Sequence, residues 1–309
     1  MVWQSIASAV LRAALLWIFA HWRPTSRFSG ESFKYLFSFG SKLLASGLLH
    51  TIYSNISTLA IGKFYTSNDL GFYSRGNQFA TLPSSNITGI LQRVTFPLLA
   101  KIQDDDERLI AVYRKYIRVT SCCIFFLMTL LAALAKPLIC LLLTDKWADA
   151  AIYCQLFCFD LMFDHLCQLN LNLLQVKGRS DLFLKLEVIK KAIAFVILCA
   201  AIPFGVTAIC VSSIIYTQIA VFINTYYTGK LFGLGYLSQF KDYGKYLLAA
   251  VTVCVPAFCL NLTGLSDMLV LIFGVAIAAL LYWFIMRNDD AFYDIIQSGL
   301  NIIKRKETR

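Results

Sequence analysis

Long apolar runs, separated by short and mostly basic connectors, set the terms on which this chain can fold. A helix needs about 20 mainly apolar residues to cross the hydrocarbon core of a bilayer. Nine such runs can be placed, at about 2–20, 37–61, 79–99, 119–143, 150–176, 188–204, 206–227, 247–262 and 268–286 of the 309 residues. Composition agrees, with 58% of residues hydrophobic and 15% charged, against about 45–50% and about 25% in soluble domains. The expected fold is therefore all-α, a polytopic membrane helix bundle of about nine transmembrane helices. Little chain is left for a separate catalytic domain.

The net charge of +10 comes from 28 Lys and Arg against 18 Asp and Glu. In a soluble protein this excess would suggest nucleic acid; in a membrane bundle it reports orientation, because basic connectors are retained on the cytoplasmic side. Alternate connectors and the span ends beside them hold 22 of the 28 basic residues, including Arg23, Lys34, Lys101, Arg114, Lys177, Lys190, Lys241 and Lys304. The opposite set holds Lys63, Arg75, Lys136 and Lys146, while Arg12 and Arg93 fall inside runs. The carboxyl terminus is expected in the cytoplasm and Met1 outside. The first run lacks the basic start and small-residue cleavage site of a signal peptide, and with Arg12 at its centre it makes a poor first anchor. Helices preceding it are expected to be absent.

Three segments read as amphipathic helices at the cytoplasmic interface: 30–36, 104–118 with Leu109, Ile110, Tyr113 and Ile117 on one face, and the tail with Phe292, Ile295, Ile296 and Ile303 ahead of Lys304–Lys306. For the tail, a solvated linker is an equal alternative. The ten cysteines lie mostly within apolar runs, as at Cys122, Cys123, Cys158 and Cys199, and read as small buried hydrophobes.

Catalytic chemistry is poorly represented. Asp104, Asp105 and Asp106 point in different directions on a helix and suit its positive end better than a metal. Cys154, Cys158, His165 and Cys167 lack paired zinc spacing. No nucleophile elbow, His-Glu-x-x-His or P-loop occurs. The longest external connector, 63–77, carries a single carboxylate, Asp69. Neither an enzyme nor a cofactor or metal is expected.

Polarity inside the runs is the informative feature. The second holds His50 and Asn55, the third Asn86, Gln92 and Arg93, and the fifth Asp160 and Asp164, among further hydroxyls and amides. Arg93 lies eight residues before Lys101, or about 12 Å along a helix. An ionised group at that depth should face protein or water. If the three polar faces adjoin, they line a hydrated cavity whose amides suit sugar hydroxyls and whose guanidinium suits phosphate. The bland alternative is that these groups pair between helices. Asp160 and Asp164, four residues apart, could anchor Arg93 or bind a coupling cation.

The stretch Gly71-Phe72-Tyr73-Ser74-Arg75-Gly76-Asn77-Gln78, then Pro83, then Arg93-Val94-Thr95-Phe96-Pro97-Leu98-Leu99-Ala100-Lys101-Ile102-Gln103-Asp104, resembles the polysaccharide transporter family of the multidrug/oligosaccharidyl-lipid/polysaccharide (MOP) exporter superfamily. The lipopolysaccharide and colanic-acid type flippases are most similar. Asp145-Lys146-Trp147, Lys177-Gly178-Arg179 and Pro203-Phe204-Gly205 extend the resemblance along the chain. It implies two six-helix lobes that move lipid-linked oligosaccharide by alternating access. On that alignment residues 1–22 are the last helix of a mostly absent amino-terminal lobe, 23–36 an interfacial linker, and 37–229 the carboxyl-terminal lobe. Two trailing helices (230–287) and a cytoplasmic tail (288–309) follow. The resemblance implies a flippase, in truncated form, for undecaprenyl-pyrophosphate-linked oligosaccharide in surface polysaccharide synthesis at the bacterial inner membrane. Arg93 would meet the pyrophosphate, and His50, Asn55, Asn86 and Gln92 the sugars. The expected partners are the bilayer, the lipid-linked oligosaccharide and a chain supplying the other lobe; nucleic acid is not among them. The alternatives are a cation-coupled antiporter of MATE type, with Asp160 and Asp164 as ion site, and a non-transporting scaffold or gene remnant.

Overall fold

The computed structural model describes residues 2–19, 30, 33, 34, 37 and 55–297. The chain forms two compact units, Met1–Ile56 and Ser57–Arg309. In the first, α1 (Val2–Phe19) places Arg12 among exposed apolar side chains. Most of the expected second span, including His50, and the tail beyond residue 297 lie outside the described residues.

The second unit is helical throughout its described residues, with no strand among them. α2 (Ile56–Phe64) is followed by α3 (Ser67–Lys101), α4 (Asp106–Ala133), α5 (Ala135–Leu143), α6 (Ala150–Leu161) and α7 (Asp164–Val176). Then come α8 (Ser180–Ala201), α9 (Val206–Phe232), α10 (Tyr236–Cys259), α11 (Asp267–Met286) and a short α12 at 290–297. Five stretches among the described residues are long and apolar enough to cross a membrane: Asp106–Ala133, Ala150–Val176, Val206–Phe232, Tyr236–Leu262 and Asp267–Met286. The chain is thus a multi-pass membrane protein.

Local chemistry moves several expected boundaries. The supposed connector 63–77 is mostly helix, because Thr66 caps α3: its hydroxyl accepts from the Asp69 N–H while the Asp69 carboxylate accepts from the Thr66 N–H, both at 3.2 Å. Residues 104–118 are not a separate interfacial helix. Asp105 caps α4, accepting from Arg108 N–H at 3.0 Å, and the helix runs on unbroken into the span. Its apolar stripe, Leu109, Tyr113 and Ile117, is wholly buried in protein. Asp106 pairs with Lys177. The fourth run breaks at Leu134, where α5 begins, and the fifth is interrupted at Met162–Phe163. The sixth starts eight residues early, at Ser180, so Lys190, expected at a span end, sits in the interior of α8; it is buried and paired with Glu187.

Within a bilayer, lipid is as apolar as leucine, so close packing and shared hydrogen bonds hold helices together. The most extensive contacts are α4 with α10 and α3 with α6. Phe125 of α4 packs edge-on to Phe163 and His165, at ring centroids 5.4 and 5.3 Å away, and tilts against Tyr243 at 5.9 Å. Gly76 lets α3 approach α6: a Cβ there would lie 2.7 Å from the Cys154 backbone nitrogen and from Tyr153 Cβ. At the α4–α10 seam, Asp242 receives Arg114 at 2.7 Å and Arg118 at 2.8 Å. Tyr65, between α2 and α3, donates to the Ile202 carbonyl and accepts from Gly205 N–H at 3.0 Å, tying this connector to the α8–α9 turn.

Candidate functional site

The α3 helix has two unlike sides. Gly76, Ala80, Ser84, Thr95 and Leu99 are buried, whereas Ser74, Arg75, Gln78, Ser85, Asn86 and Arg93 are exposed, with Leu82, Ile90 and Val94 exposed among them, and Asn77, Thr81 and Thr88 half-buried. The helix satisfies much of this open side by itself. Asn86 Nδ2 donates to the Leu82 carbonyl at 2.7 Å, Thr88 to Ser84 at 2.8 Å, and Thr81 to Asn77 Oδ1 at 2.8 Å. Such back-bonding needs no neighbouring helix, so the outer lone pairs and N–H groups stay available. Ser74, Asn77, Gln78, Thr81, Leu82 and Ser85 line a groove of about 260 Å³.

Arg93 stands exposed further along α3, with no ion pair to any described residue. Large apolar side chains dominate the exposed surface elsewhere, as at Phe222 on α9, Leu248 and Val255 on α10, and Ile272, Leu280 and Phe284 on α11, with Lys230, Lys241 and Thr252 exposed among them. An arginine at the centre of a lipid-facing helix costs roughly 2.5–3.5 kcal/mol on insertion scales. The polar side of α3 therefore fits water or a polar ligand, and the α9–α11 surface fits lipid.

The other expected site residues are distributed differently. Gln92 precedes Arg93 on α3, and Asn55, exposed just before α2, belongs to the first unit. Asn86 shares the open side with Arg93. The polar residues of the fifth run are drawn into the bundle. Buried Asp160 accepts from Thr217 of α9, His165 Nε2 pairs with Ser121 of α4 at 2.9 Å, and Asn170 bonds Gln239 of α10 and Thr228 of α9. Asp164 is half-buried at the start of α7. His165, Asn170 and Asp160 are thus engaged by α4, α9 and α10, while most of the second run, the third polar face expected to join them, lies outside the described residues. Asn224, fully buried on α9, has no hydrogen-bond partner for either side-chain atom among the described residues.

Two features escaped the sequence reading. Arg75 lies over Trp147, its guanidinium carbon 5.5 Å from the ring centroid. Cys140, Asp145 and Asp267 bring their ligating atoms within 4.8 Å of one another, at an end of the bundle with two exposed carboxylates. Both groupings join residues from separate segments, and no local motif announces them.

Residues 1–152 match the family described as polysaccharide biosynthesis protein. Among curated relatives, the lipopolysaccharide biosynthesis protein WzxC of Escherichia coli is 27% identical over 187 residues, covering 60% of this chain and 38% of WzxC. The teichuronic acid biosynthesis protein TuaB of Bacillus subtilis is 28% identical over 161 residues, covering 52% of this chain and 33% of TuaB. The succinoglycan biosynthesis transport protein ExoT of Rhizobium meliloti is 26% identical over 147 residues, 48% of this chain and 30% of ExoT. The match thus spans about a third of the length of each of these members of the polysaccharide biosynthesis family. No solved structure matches the chain.

Proposed function

We propose that this chain forms part of a flippase that carries undecaprenyl-pyrophosphate-linked oligosaccharide across the bacterial inner membrane for surface polysaccharide synthesis. The observation carrying this reading is the exposed side of α3, where Asn86 and Arg93, without an ion pair among the described residues, stand open, while the exposed surface of α11 is apolar. The family and the polysaccharide names of its relatives support the same substrate class over a small-molecule antiporter.

In this reading Arg93 receives the pyrophosphate, its planar fork matched to phosphate oxygens. Asn86 and Gln92 beside it, with His50 and Asn55, pass the sugar hydroxyls. The lipid tail stays in the bilayer against the apolar surface. Asp160 and Asp164 supply the coupling cation site, buried Asp160 being steadied by Thr217. The carboxyl terminus is cytoplasmic, on the side of the basic connectors. No catalytic residue is assigned, because flipping breaks no covalent bond.

The deciding experiment replaces Arg93 by Ala and by Lys in the protein expressed in a strain that depends on it for surface polysaccharide. Export should fall sharply with Ala and partly recover with Lys. Normal export by both variants removes Arg93 from the mechanism.

A further inference from the structure

We propose that Arg75, seated on Trp147 at the far end of the α3 stripe from Arg93, binds an oxyanion carried by the translocated substrate. This rests on the transport reading above and extends it to a second charged contact.

The geometry of Arg75 is that of a prepared fork. Its Nη1 donates to Gln78 Oε1 at 2.8 Å, and its guanidinium lies over the Trp147 ring. The ring is itself positioned. Phe72 meets it edge-on at 5.8 Å, and the backbone of α3 at Gly71 runs close beside it. Amide and aromatic contacts orient a guanidinium without neutralising it. Of five N–H donors, one is engaged by Gln78, and no carboxylate among the described residues pairs with the group. The nearby acids have other roles. Asp69 caps α3 through Thr66, and Asp145 lies with Cys140 and Asp267.

An exposed, oriented and uncompensated guanidinium fits a carboxylate or phosphate in bidentate fashion. Beside it, the groove of Ser74, Asn77, Gln78, Thr81 and Ser85 offers the hydroxyls and amides that sugar hydroxyls need. Eighteen residues separate Arg75 from Arg93 on one helix, about 27 Å at 1.5 Å per residue, close to the roughly 30 Å thickness of the hydrocarbon core. One cation at each end of a face that carries Gln78 and Asn86 beside exposed Leu82 and Ile90 suits a substrate with both anionic and apolar parts that crosses the membrane. The oxyanion could be the carboxylate of an acidic sugar or the phosphate of the carrier lipid; their chemistry is the same, and binding can separate them.

The test uses the purified full chain in nanodiscs, unaltered and with Arg75→Gln, Arg75→Lys or Trp147→Leu. The probes are a glucuronate-containing tetrasaccharide, the same tetrasaccharide with its carboxyl reduced to an alcohol, and farnesyl pyrophosphate. Arg75→Gln should weaken at least one charged probe by about tenfold, as loss of a charge-assisted pair implies, and leave the reduced sugar unchanged. Arg75→Lys should restore part of the loss, and Trp147→Leu should mimic part of it. A loss confined to glucuronate assigns the site to a sugar carboxylate; a loss that includes farnesyl pyrophosphate assigns it to the carrier. Unchanged binding of both charged probes, equal weakening of the reduced sugar, or no binding of either charged probe to the unaltered chain overturns the proposal. If Arg93→Ala still abolishes export in those cases, the transport reading survives without this site.

Discussion

Both α3 and α10 carry amides within membrane-length helices, yet they dispose of them in opposite ways. On α10, Gln239 is fully buried and every polar atom of its side chain is used. Its Nε2 donates to Asn170 at 2.9 Å and to the Leu234 carbonyl at 2.8 Å, while Oε1 accepts from Asn170 at 3.0 Å and from Tyr113 at 3.4 Å. Asp242, one turn on, is only 3% exposed and takes both Arg114 and Arg118. On α3, Asn86 bonds its own backbone, and Arg93 has no ionic partner among the described residues. Shared between helices, polar groups fix the packing; satisfied within one helix, they leave a polar surface facing outward. The first arrangement holds the bundle together, and the second is what a ligand can use.

The contrast can be broken most severely on the packed side of α3. Gly76→Leu must push α3 away from backbone atoms of α6, and should cost about 3 kcal/mol, read as loss of monodisperse protein in fluorescence-detected size exclusion. Gln239→Leu removes one partner each from buried Asn170, Tyr113 and the Leu234 carbonyl. It should lower stability by about 2 kcal/mol, seen as a drop in Tm in detergent, without touching the open stripe.

On the open side the effects should reverse. Arg93→Ala should change Tm little, since nothing in the described bundle leans on it, yet reduce polysaccharide export about tenfold, equivalent to about 1.4 kcal/mol. A large fall in Tm with this variant would mean that α3 is sealed like α10. Asn86→Ala should give a smaller loss of export, about two- to threefold, because one amide among several contacts is removed.

The smallest effect is expected where α12 approaches the ends of α10 and α4. Burial pushes the Asp289 carboxyl up, but hydrogen bonds from Lys245 and Tyr246 outweigh it and hold the group below the usual carboxylate range. A depressed folded pKa contributes stability that is complete above the unfolded value of about 3.9 and is lost as pH falls through the folded one. Because Lys245 is half-exposed, Asp289→Asn should lower stability by about 0.5–1 kcal/mol at neutral pH. The difference from the unaltered chain should vanish as pH falls through the depressed folded value, as measured by thermal unfolding across pH.

Part of the α3 surface was legible in the chain as written. Arg93, Asn86 and Gln92 fall within one run, and periodicity alone puts polar residues on one side of it. The partners of the fifth run were not legible. Asn170 meets Gln239 and Thr228 across 69 and 58 residues, and His165 meets Ser121 across 44. Gln239 and Asp242 also fell outside the expected eighth span, since their charged and amide neighbours made the start of α10 look like a connector. Lys190 was read as the cytoplasmic end of the sixth run, whereas it lies in the interior of α8, where Glu187 one turn earlier supplies its partner.

By itself the sequence determined that the chain is an all-helical membrane bundle and that some of its spans carry polar groups too costly to leave in lipid. Only the tertiary structure decided which of those groups are sealed between helices and which stay open. Helical spacing fixes the residues that share a face, but whether a neighbour covers that face depends on contacts between segments far apart in the chain.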